Sequence, residues 1–175
     1  NIFPKNFGGG SMRNAEYWND VEAQYAKRNM VYLMNGSRSE SNVALGAEFA
    51  RGKEHCIGYH LIDEPAGNAL EQVGYFTKLY READPLRYPF TNLFPSYAGE
   101  ERLGGTYYEH VSNYVRLAGA ENIDYLSHDY YPFRSGGSVW QDIFADMEVL
   151  RKVAYENGKL KTHAYEPDPE KPGTP

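Results

Sequence analysis

The sequence predicts an α/β fold built on a parallel sheet, and three observations carry that expectation. Short apolar runs alternate with longer stretches of helical period along the whole chain. Successive runs begin roughly 30 residues apart, the length of a strand-plus-crossover-helix unit. Connections from helix back to strand are terse (Gly119-Ala120-Glu121 and Asn157-Gly158-Lys159), whereas those from strand to helix run long, through Pro95 to Gly105 and Asp129 to Gly137. Long loops then gather on the carboxyl face of the sheet, where α/β proteins place their functional sites.

Each element has its own local reason. Asn14 to Arg28 reads as a helix with Tyr17, Trp18, Val21 and Tyr25 on one side, and Met30 to Met34 as the strand after it. Ser39 to Arg51 is a second helix, with Val43, Phe49 and Ala50 facing inward, and Ile57 to Ile62 a buried strand. Val73, Phe76 and Tyr80 form the stripe of the next helix, before a strand over Tyr88 to Phe94. Val111, Tyr114, Val115 and Ala118 form another stripe. Its start matches a capping box, Thr106-Tyr107-Tyr108-Glu109, and Gly119 supplies a left-handed stop. A strand over Ile123 to Ser127 follows. The last helix carries Ile143, Phe144, Met147, Leu150 and Ala154, between a second capping box, Ser138-Val139-Trp140-Gln141, and Gly158. Leu160 to Tyr165 reads as a fifth strand.

Length limits what these units can form. A closed barrel of eight strand–helix units takes about 250 residues, and this chain has 175 with five convincing strands. The expectation is a partial (β/α)8 barrel with parallel strands, incomplete at both ends, over residues 1–165, followed by a Pro-rich tail or truncated end over 166–175. Asn1 to Ser11 could hold at most the end of a sixth strand, with Phe7-Gly8-Gly9-Gly10 as the loop after it, and without a convincing apolar strand before Phe7 these glycines do not read as a phosphate loop.

Composition excludes several function classes. A net charge of −6 without a basic cluster argues against a nucleic-acid partner, whose phosphates need Lys and Arg. No apolar run is long enough for a membrane-spanning segment or a signal peptide. Localisation stays open, and an extracellular or periplasmic parent protein is compatible. The single Cys56 heads an apolar strand and reads as a buried structural thiol. The five histidines show no paired zinc-ligand spacing.

The most informative segment is Cys56-Ile57-Gly58-Tyr59-His60-Leu61-Ile62-Asp63-Glu64-Pro65, an apolar strand that ends in two carboxylates and a proline. Strands disfavour all three residue types, so the chain must leave the sheet here and present Glu64 at its carboxyl end. Pro65 suits an immediate switch into a helix. The plain alternative is an acidic helix N-terminus, with Asp63 or Glu64 as the cap. By strand parity His60, Ile62 and Glu64 share one side, with His60 deeper and structural, and His128 and Tyr130 can both point inward. Tyr97, Tyr107, Tyr130, Tyr131 and Phe133 fall in the long loops, where flat rings with polar tips suit a sugar, although a chain with 16 tyrosines places some in loops by chance.

These residues carry a resemblance. Gly58 to Pro65 resembles the fourth-strand signature of the retaining glycoside hydrolases of clan A, (β/α)8 barrels whose acid/base Glu lies in an Asn-Glu-Pro motif. Glu64 and Pro65 match, and Asp63 replaces the Asn. His128-Asp129-Tyr130 is similar to the His-x-Tyr after the sixth strand, and Glu166 falls where the clan keeps its nucleophile on the seventh. The resemblance implies hydrolysis of O-glycosidic bonds in oligo- or polysaccharide by Glu64 as acid/base and Glu166 as nucleophile, with no metal or organic cofactor. It implies carboxyl groups about 5 to 5.5 Å apart, as retention requires, and Tyr130 in reach of Glu166. Asp63, Asn35, Asn92, His128, Tyr130 and Tyr131 are the candidate substrate contacts, although an Asn closing a strand more often caps a turn. Asp63 can only accept where the family Asn donates. Two alternatives stand beside this reading: a non-catalytic carbohydrate-binding or truncated barrel, and a metal-dependent hydrolase using Asp63, His128 and Asp129.

Overall fold

The computed structural model of the chain describes residues 15–133, 140 and 142–158, and the backbone of 161–162. Within them, strands β1 (Tyr32–Asn35), β2 (Cys56–Asp63), β3 (Tyr88–Leu93), β4 (Tyr125–His128) and β5 (Lys161–Thr162) form one parallel sheet in sequence order. Helices α1 (Ala15–Ala26), α2 (Glu40–Ala50), α3 (Leu70–Ala83), α5 (Tyr107–Ala118) and α6 (Ile143–Glu156) separate the strands, with a short α4 (Glu100–Leu103) after β3. The sheet is not closed: among the described residues, β1 and β5 lie at its two ends. No helix among the described residues is long and apolar enough to cross a membrane.

The expected local signals explain most boundaries. Thr106 accepts from the Glu109 N–H while Glu109 reaches back to the Thr106 N–H at 2.7 Å, completing the capping box at the start of α5. Gly119 and Gly158, at φ +79° and +86°, end α5 and α6. The second box fares differently. Helix α6 opens at Ile143 with Asp142 as its cap, and Ser138 and Gln141 lie outside the described residues. Helix α3 does not follow Pro65 directly, because a 3₁₀ turn over Gly67–Ala69 intervenes and α3 begins at Leu70. Neither that turn nor α3 has a side-chain cap, so Asp63 and Glu64 are not helix caps. The Pro95 to Gly105 connection also holds structure, a 3₁₀ turn over Ser96–Ala98 and then α4.

All five longer helices pack through two apolar clusters. One joins Trp18, Val21, Tyr32, Met34, Val43, Tyr59, Leu61 and Tyr80 across α1, β1, α2, β2 and α3. The other joins Val73, Leu93, Val111, Tyr114, Leu126, Leu150 and Val153 across α3, β3, α5, β4 and α6. Helices α3 and α5 meet at Gly74, where an added Cβ would stand 2.7 Å from the Leu117 carbonyl carbon. Cys56 is buried and carries no disulfide; burial pushes its thiol up to about 11. At the amino end of the sheet, Asp84 is enclosed by Tyr59, whose hydroxyl donates at 2.6 Å, and Arg87, whose Nη1 donates at 3.0 Å.

A bulge in β2 decides which residues reach the other sheet face. His60 pairs with Phe90, but Ile62 pairs with Thr91 and Asp63 with Asn92, so β2 carries one extra residue between His60 and Ile62. Leu61 and Ile62 consequently both pack toward the helices. Asp63, and not Ile62, shares the inner face with His60, which overturns the parity read from the sequence. The inner face shows His60 and Phe90 rings 5.7 Å apart and Tyr88 and Tyr125 rings 5.2 Å apart. Burial lowers the His60 imidazole pKa, as befits a structural position.

Candidate functional site

The carboxyl ends of β2, β3 and β4 bring together residues far apart in sequence. Asp63, Asn92 and Ser127 are register partners across three strands. Asn92 Nδ2 donates to Asp63 Oδ1 at 3.1 Å, and Ser127 Oγ donates to Asn92 Oδ1 at 2.9 Å. Asn92 is thus committed at both ends and serves to orient the Asp63 carboxylate. Asn35 ends β1 opposite His60, three residues and roughly 10 Å short of Asp63 along the strand direction. It does not join the row.

Glu64 leaves the sheet in a left-handed conformation, φ +47°, uncommon for a residue with a side chain. Its N–H donates to the Asn92 carbonyl at 2.8 Å, the last rung of the β2–β3 pairing, so the turn is pinned from the backbone. Asp129 is held alike, its N–H donating to the Leu93 carbonyl at 2.9 Å. Its carboxylate accepts from the Tyr131 hydroxyl at 2.9 Å. Burial raises the Glu64 pKa above its ordinary value, and the negative charges of Asp129 and Asp63 raise it further, opposed by Arg102. The result is a carboxyl group inclined to keep its proton beside two that act as acceptors.

His128 is placed otherwise than its sequence parity suggested. Ser127 faces Asn92, so His128 turns toward the helices, where Nδ1 lies 3.1 Å from the Tyr107 hydroxyl of α5 and 3.6 Å from Asp146 Oδ2 of α6. Tyr107 is buried at the first turn of α5 and is not a loop residue. Asp146 is 1% exposed and also accepts from the Ser96 N–H at 2.9 Å. Neither Asp146 nor Ser96 has a sequence signal of its own; only the helical stripe around Asp146 hints that it points inward.

An aromatic group flanks the site. Tyr97 lies 5.2 Å from Tyr130 and 5.5 Å from Trp140, ring to ring, and Tyr130 lies 5.7 Å from His128. Tyr97, Tyr131, Phe133 and Trp140 are exposed. The loops after β2 and β3 approach closely at Gly67: a Cβ there would stand 2.4 Å from the Leu103 carbonyl oxygen and 2.9 Å from Gly104 Cα. Glu166 lies outside the described residues, and so do its distance from Glu64 and its contact with Tyr130. No group of three or more His, Cys, Asp and Glu among the described residues could hold a metal ion. His128 points away from Asp63 and Asp129, so that trio is not a ligand set. Compared with known proteins, the chain matches no family, no curated protein and no solved structure.

Proposed function

We propose that this chain is part of a retaining glycoside hydrolase of the (β/α)8 type, with Glu64 as the acid/base. The observation that carries the reading is the setting of Glu64: a carboxyl-end position on a parallel sheet, a backbone-pinned left-handed turn, and a proton affinity raised by burial, Asp129 and Asp63. A general acid working near neutral pH needs such a raised value. In this reading Glu64 protonates the departing glycosidic oxygen and later activates water, while Glu166 attacks the anomeric carbon. Asp63, oriented by Asn92, accepts from a sugar hydroxyl, and the exposed rings of Tyr131, Tyr97 and Trp140 offer stacking faces.

A panel of chromogenic glycosides tests this on the longest available form of the protein. Glu64→Gln should slow poor leaving groups far more than activated aryl glycosides, which depart without a proton, and azide should partly restore turnover. Equal loss on both substrate types, without rescue, would overturn the acid/base assignment. The aromatic group favours one second reading, a carbohydrate-binding domain without catalysis, recognised by sugar affinity that survives Glu64→Gln in a protein with no hydrolytic activity.

A further inference from the structure

The His128–Asp146 contact has an arrangement that the acid/base reading does not use. Asp146 is fixed from two directions: its Oδ2 accepts from the Ser96 N–H at 2.9 Å, and it sits in the first turn of α6, where the helix dipole favours negative charge. The same oxygen lies 3.6 Å from His128 Nδ1, and the two side chains are only 2% and 11% exposed. The Tyr107 hydroxyl lies 3.1 Å from that nitrogen. Among the described residues, both polar contacts of His128 therefore run through Nδ1.

Two proton arrangements fit those distances. In one, the Tyr107 hydroxyl donates to a bare Nδ1, and the imidazole proton sits on Nε2. In the other, Nδ1 carries the proton and directs it at Tyr107 Oη and the Asp146 carboxylate. A bare Nδ1 would aim its lone pair toward an enclosed anion at 3.6 Å, whereas an N–H dipole there is attracted, with little water to damp either interaction. The carboxylate decides in favour of the second arrangement.

We infer that Asp146 is a positioning residue that keeps the His128 proton on Nδ1, so that Nε2 is left as a hydrogen-bond acceptor on a ring 5.7 Å from that of Tyr130. The natural donor to such an atom is a ligand hydroxyl. Only that last identification rests on the glycosidase reading; the placement of the proton does not.

Long-range ¹H–¹⁵N correlation spectra of the ¹⁵N-labelled protein above about pH 8, where an ordinary histidine of pKa about 6.5 is neutral, read the proton directly. His128→Gln identifies the signals. The expected result is a protonated Nδ1 and a bare Nε2 in the wild type, the same in Tyr107→Phe, and movement of both nitrogens toward an averaged position in Asp146→Asn. The Asn carbonyl can still accept from Ser96, so the charge is removed with the loop contact kept. A wild type protonated on Nε2 overturns the inference. So does Asp146→Asn with an unchanged spectrum, or Tyr107→Phe moving the proton. If Asp146→Asn does not fold, the wild-type and Tyr107→Phe spectra still decide. Absence of activity on the glycoside panel with the expected spectra would sink the functional reading and leave this one standing.

Discussion

Replacing Glu64 by glycine should stabilise the protein, and by more than replacing it with glutamine does. Two separable contributions act at this position. The first is backbone: φ is +47°, and a left-handed L-residue costs roughly 1–2 kcal/mol. Glycine avoids that cost but loses more chain entropy on folding, about 0.5–1 kcal/mol, which leaves a net gain of about 0.5–1 kcal/mol. The second is charge. The folded pKa of Glu64 lies above its ordinary 4.5, so the folded state holds the proton more tightly than the unfolded state does. The protein therefore loses stability as pH rises from about 4.5 through the folded pKa. Glu64→Gln removes only the charge contribution, so its advantage over wild type should grow across that window and vanish below it. Glu64→Gly should keep a pH-independent lead over Glu64→Gln of about 1–4 °C in Tm, at the 2–4 °C per kcal/mol expected of a chain this size. Thermal melts by circular dichroism from pH 4 to 8 measure both. A glycine variant no more stable than the glutamine variant at any pH would refute the strained turn.

Two further perturbations test the packing that supports the site. Asp84→Ala strands the Arg87 guanidinium and the Tyr59 hydroxyl in a buried setting, and urea denaturation should show a loss of about 3–5 kcal/mol; a loss under 1 kcal/mol would mean that water replaces the carboxylate. Gly74→Ala gains about 1 kcal/mol of helix propensity, yet its Cβ would meet the Leu117 carbonyl carbon at 2.7 Å and the Ala118 nitrogen at 2.9 Å. Separating α3 from α5 should cost about 1–3 kcal/mol, so the melt should shift downward; an upward shift would show that the two helices part freely.

The parallel, sequence-ordered sheet was legible because each βα unit announces itself locally, through an apolar run, a helical stripe and, for α5, a capping box and a closing glycine. The gathering of Asp63, Glu64, Asn92, Asp129 and Tyr131 at the carboxyl ends followed from strand direction alone. Parity was not legible. The extra residue in β2 has no sequence mark, since Leu61 and Ile62 look alike whether they alternate or both turn to the helices. Asp63 consequently exchanged faces with Ile62, and His128 proved to face α5 and α6. Asp146 stayed hidden because an acidic residue in a first helical turn ordinarily signals an exposed cap, and only the three-dimensional neighbourhood of His128 and Ser96 gives it another role.

The contact between Gly67 and the Leu103–Gly104 backbone works as a dovetail joint. A side chain at position 67 would have to push the Leu103–Gly104 backbone away, so the close approach of the stretch after β2 to the stretch after β3 depends on glycine there. Glu64 rides on the first and Arg102, the cation that tempers its proton affinity, on the second. A substitution at Gly67 that spreads the two segments should therefore also weaken Arg102's hold on the Glu64 carboxylate and raise its proton affinity further.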